Sequence, residues 1–109
     1  MADRRLSLEN LGRELREEFD GSLAPGLSVR ALYLVSEVGE LSKEIIKASA
    51  YGAREFEATE HFKEELGDAL FDLALLADDA GTTLEECLAL SLAKLRERLA
   101  RQGHLGSGR

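Results

Sequence analysis

Apolar residues recur along this chain with a helical period and not with the alternation of a half-buried strand. Leu8, Leu11, Leu15 and Phe19 mark a first helix, and the segment "DGSLAPG", with the only proline and two glycines, ends it. A second helix is predicted over about residues 28–50, with Leu34, Val38, Leu41 and Ile45 as its apolar stripe and Tyr51-Gly52 as its stop. A third, over about residues 59–80, carries Phe62, Leu66, Ala69, Leu73 and Leu76 on one side. Phe71, Ala74 and Leu75 lie on its other flanks, as expected of a helix buried by more than one neighbour, at a bundle centre or a subunit contact. Gly81 closes it, and "TLEE" at residues 83–86 reads as a capping box opening a fourth helix whose Leu88, Leu92, Leu95 and Leu99 are expected to face inward. The pattern predicts an all-α, four-helix bundle-like chain with short connections, antiparallel neighbours and a core completed by homo-oligomerisation. Residues 1–109 read as a single domain with its core at 28–101 and a flexible tail at 102–109, and no internal repeat is present.

Composition narrows the class. A hydrophobic share of 44% and a charged share of 32% exclude disorder, and no apolar run is long enough to span a bilayer. The N-terminal "MADRRLSLENLGRELREEF" is amphipathic but acid-rich and has no apolar signal core, so a cytoplasmic location without a membrane partner is expected. Cys87 is the only cysteine, which excludes an internal disulfide and suggests a small buried apolar residue. The net charge of -7 argues against a duplex nucleic-acid partner. It does not forbid a small anionic ligand, because a bound cation reverses the local sign of a site.

The acids are not scattered. Glu37, Glu40 and Glu44 fall at i, i+3 and i+7 on the second helix, and Glu65, Asp68 and Asp72 repeat the spacing on the third. At about 100° per residue each set forms a narrow band about a quarter turn from the centre of its helix's apolar stripe. Side-by-side packing would bring the bands together at the rim of a seam, where like charges repel unless cations neutralise them. Two readings stand on spacing alone: a pair of solvated faces, or an all-oxygen cation site suited to Mg²⁺ first and Mn²⁺ second. His61, one turn before Glu65, is a further candidate ligand. A carboxylate-bridged di-iron site is disfavoured, because neither helix has its Glu-x-x-His pair. On the fourth helix Ser91, Lys94, Arg98 and Arg101 form a polar and basic band. Such a band opposes the helix dipole without any ligand. Beside a cation-loaded acidic band, it is also what a polyphosphate requires.

Taken together, "EVGELSKE", "EELGDALFDLALLA" and "SLAKLRERL" resemble the MazG-like family of all-α nucleoside triphosphate pyrophosphohydrolases over roughly residues 28–101. The resemblance implies Mg²⁺ bound by Glu37, Glu40, Glu65 and Asp68, and phosphate handled by Lys94 and Arg98. Ser91 stands where the family usually has Asn, and Asp72 where an apolar or uncharged residue is common. Glu44, Asp72 and His61 are then supporting residues around the ligands. The implied reaction converts a nucleoside triphosphate and water to the monophosphate and pyrophosphate by attack at the α-phosphorus, with Glu40 a candidate to orient or deprotonate the water. The family forms homodimers or homotetramers with nucleotide pockets at or near subunit contacts. Within the class, housecleaning of non-canonical nucleotides, dCTP or dUTP hydrolysis and phosphoribosyl-ATP hydrolysis all stay open. Phe19, Tyr33 and Tyr51 are candidate base contacts. Outside the class stand a non-catalytic helical module that holds Mg²⁺ or a nucleotide, and a structural oligomer with solvated acidic faces.

Overall fold

A computed structural model describes residues 6–23 and 26–107. The expected break at Pro25, the first five residues and the last two of the tail lie outside them. All regular structure among the described residues is helical: α1 (Leu11–Glu18), α2 (Leu27–Ala48), a 3-10 turn (Ala50–Gly52), α3 (Glu60–Asp79) and α4 (Leu84–Gln102). Local chemistry fixes the ends. The Thr59 hydroxyl accepts the Phe62 N–H at 3.0 Å and the Thr83 hydroxyl accepts the Glu86 N–H at 3.1 Å. Each cap contributes about 1 kcal/mol to its helix. At the end of α2 the chain turns through Ala50 and Tyr51, both at positive φ.

The core lies where α2 and α1 pack on α3. Leu75 of α3 is 0% exposed and, with Leu11, Ala69, Ala74 and Ala77, forms the apolar centre. α1 crosses α3 so closely that a Cβ on Gly12 would stand 2.3 Å from the Ala74 carbonyl oxygen. Phe19 closes the far side edge-on against Phe71, with ring centroids 5.6 Å apart. Phe19 is thus a packing residue.

Leu75 is fully buried at the centre, as expected of a helix covered by more than one neighbour. Two expectations are corrected. On α2, the residues buried against α3 are Arg30, Glu44 and Ala48, while Val38 and Ile45 of the expected stripe stay half-open. Leu34 and Leu41 of the stripe are partly covered, so the packing face is rotated toward the charged row, which the seam accepts because opposite charges meet across it. α4, finally, does not close a four-helix bundle. It leans lightly on α3, has no buried residue, and leaves Leu88, Leu90, Leu99 and also Cys87 exposed.

The result is an open arrangement of helices. It exposes 8169 Å², against roughly 6,000 Å² for a compact chain of its mass. Its radius of gyration is 16.9 Å, against about 13 Å for a compact domain of this length.

Candidate metal centre

The α2–α3 seam is built on steps of seven residues. Arg30, Glu37 and Glu44 lie two turns apart on one face of α2, and Asp79, Asp72 and Glu65 do the same on α3. The helices run antiparallel, so the rows pass each other in opposite order. At one end the Arg30 guanidinium reaches Asp72 at 3.6 Å and Asp79 at 3.7 Å. At the other, His61 Nε2 stands 3.4 Å from Glu44 and 3.7 Å from Glu65. Between them Glu37, Glu65 and Asp68 each present a carboxylate oxygen, all within 4.8 Å of one another.

That convergence is electrostatically uphill without a cation. Burial pushes the Glu37 carboxyl above its ordinary range, and the negative charges of Asp68, Asp72, Glu65 and Glu40 push it the same way. Burial raises Asp72 too, against the pull of Arg30. The donors suit a hard divalent cation, since all are carboxylate oxygens and they converge on one place. Glu37 and Glu65 are partly covered while Asp68 is exposed, so the cluster opens to solvent on one side.

The other expected residues divide. Glu40 is outside the three-carboxylate cluster: its exposed side chain reaches Lys43 at 3.7 Å on its own helix. Its charge is still felt at Glu37. Glu44 is buried and held by Lys47 at 3.6 Å and by His61, at the end of the seam. Asp72, 6% exposed, is engaged by Arg30. α4 touches α3 only lightly, and the protein does not bring Ser91, Lys94 or Arg98 into an ion pair with the carboxylates among the described residues. Arg101 pairs with Glu97 of its own helix at 2.9 Å. Of the aromatic candidates, Tyr33 is half-exposed one turn before Glu37, and Tyr51 projects into solvent beyond α2.

Arg30 was absent from the predicted set. An arginine in the first turn of a helix reads as a solvated cation, and only its place in a seven-residue series with Glu37 and Glu44 signals otherwise. Arg16 of α1 extends the network, donating to Asp78 at 2.5 Å and also to Asp79.

No helix among the described residues is long and apolar enough to cross a membrane. Neither the curated proteins nor the solved structures contain a match to this chain. A family model described as the MazG nucleotide pyrophosphohydrolase domain matches residues 27–101, which include α2, α3, the three converging carboxylates and nearly all of α4. The chain belongs to the MazG nucleotide pyrophosphohydrolase family.

Proposed function

We propose that this chain is a divalent-cation-dependent nucleoside triphosphate pyrophosphohydrolase. It would convert an NTP or dNTP and water to the monophosphate and pyrophosphate, with housecleaning of non-canonical nucleotides as its role. The observation that carries this reading is the meeting of Glu37, Glu65 and Asp68 within 4.8 Å in a chain of this family. These three hold the cation, Mg²⁺ or in its place Mn²⁺. When bound, the ion polarises phosphate oxygens and lowers the pKa of a water.

Glu40 has a separate task. One turn beyond Glu37 and open to solvent, it would orient the attacking water and accept its proton. Tyr33, one turn before Glu37, offers an aromatic face to a base. Lys94 and Arg98 neutralise the departing pyrophosphate, with Ser91 beside them.

The working form is a homodimer or homotetramer. The surplus of roughly 2,000 Å² of surface over a compact chain is of the size an obligate interface covers. Leu88, Leu90 and Leu99 on α4, with Leu32 and Val35 on α2, supply its apolar part. An α4 bound only lightly to its own α3 is free to bring Lys94 and Arg98 to the site of a second copy.

The reading is tested with a panel of NTPs and dNTPs in Mg²⁺, scoring pyrophosphate against orthophosphate. Pyrophosphate and monophosphate in equal amounts are expected from at least one nucleotide. Nucleotide binding without turnover would replace the enzyme with a binding module.

A further inference from the structure

Arg30 is 3% exposed and is the buried cation among the described residues. It lies between two carboxylates of α3, Asp72 and Asp79. Seven residues separate these acids, about 10.5 Å along the helix axis. A side chain that reaches both is held between them, and a slide of α2 by one turn, about 5.4 Å, in either direction would break one contact. Two turns along α2 the same register sets Glu37 between Asp72 and Glu65, beside Asp68. Two turns further it sets Glu44 against His61. The Arg30 contacts and the placement of Glu37 are therefore one geometric fact.

We propose that Arg30 is a positioning residue for the carboxylate cluster: clamped between Asp72 and Asp79, it fixes the register of α2 on α3 and so the stance of Glu37 against Glu65 and Asp68. The inference rests on the cation-site reading of that cluster. Arg30 also keeps Asp72 occupied, so that the acid one turn from Asp68 stays out of the ligand set. A lysine would not serve equally, because it offers a point charge where the planar guanidinium offers a fork. The clamp is braced from behind, since Arg16 of α1 holds Asp79 on the side away from Arg30.

A purely structural role has to be separated from a positioning one. Replacing Arg30 alone would strand buried acids and could simply loosen the protein. Replacing a buried ion pair by apolar residues of similar volume is often neutral for stability, so the decisive variant is Arg30→Met with Asp72→Leu, in which Asp79 keeps Arg16. Free Mn²⁺ would be counted by electron paramagnetic resonance during titration of wild type, the double variant and Arg30→Lys, with Mg²⁺ as competitor and no nucleotide. Circular dichroism would report the fold. Partners that orient metal ligands typically alter affinity by about 10- to 100-fold. The expected result is Mn²⁺ affinity at least about tenfold weaker in the folded double variant, with Arg30→Lys in between. Should the double variant fail to fold, Arg30→Lys carries the test, and its expected loss is several-fold. Wild-type affinity in a folded double variant, or in Arg30→Lys if that alone folds, overturns the inference and leaves the cation site standing. No Mn²⁺ bound by wild-type protein would remove the site itself, and the inference with it.

Discussion

Glu44 Oε1 lies 3.4 Å from His61 Nε2 across the α2–α3 seam, and this pair belongs to the same register that sets Glu37 beside Asp68. Glu44 is buried, whereas its partners His61 and Lys47 are largely exposed. Its loss would leave no cation stranded in the interior. Glu44→Gln is therefore expected to cost about 1 kcal/mol and to lower the melting temperature by about 4–8 °C. Lys47→Ala should cost under about 0.5 kcal/mol. Thermal melts of the two variants check the contrast.

Glu37 and Asp68 are expected to be indispensable for turnover. Glu37→Gln and Asp68→Asn each remove a ligand charge at nearly constant volume. If partners behind the ligands are worth 10- to 100-fold, a ligand itself should cost about 100-fold or more in rate. Steady-state pyrophosphate release at saturating Mg²⁺, with circular dichroism to confirm the helices, is the check.

The pH dependence of stability has a definite sign. Burial and neighbouring acids raise the Glu37 carboxyl above its ordinary value of 4.5. A group held above its unfolded pKa contributes stability that is fully present below the unfolded value and is lost as pH rises through the folded one. Cation-free wild type should therefore lose ground to Glu37→Gln as pH climbs from about 4.5 toward neutrality. Mg²⁺ should return that ground to wild type alone, because a ligand that binds only the folded state stabilises by mass action. Melting temperatures at about pH 5 and pH 7, with and without millimolar Mg²⁺, measure both effects.

Two leucines separate the core from the proposed assembly surface. Leu75 is 0% exposed and Leu90 is 69% exposed. Leu75→Glu should abolish folding, since burying an unpaired charge costs several kcal/mol. Leu90→Glu should leave the helices intact and shift sedimentation toward the 11.9 kDa protomer. Full assembly of Leu90→Glu would move the interface away from this part of α4.

Helix number, order and approximate ends were legible from period and punctuation, because Thr59, Thr83 and Gly81 act through backbone chemistry that neighbours do not alter. The packing faces were less so. Of the stripe on α2, Leu34 and Leu41 are partly covered while Val38 and Ile45 are open, and Arg30 and Glu44 are buried instead, because charges paired across a seam are invisible to the hydropathy of one helix. Of the four acids expected as ligands, Glu37, Glu65 and Asp68 come together and Glu40 does not, because a stripe beside an apolar seam converges on its neighbour only where the two helices are turned toward each other. Lys94 and Arg98 were equally visible in sequence, but their relation to the cluster depends on where α4 docks, and α4 is held only lightly within the chain.

The most direct measurement is anomalous diffraction from crystals grown with Mn²⁺. A peak at bonding distance from Glu37, Glu65 and Asp68, with Asp72 still on Arg30, is the predicted result. Fully occupied Mn²⁺ elsewhere, with these three carboxylates bound only to water, would contradict it.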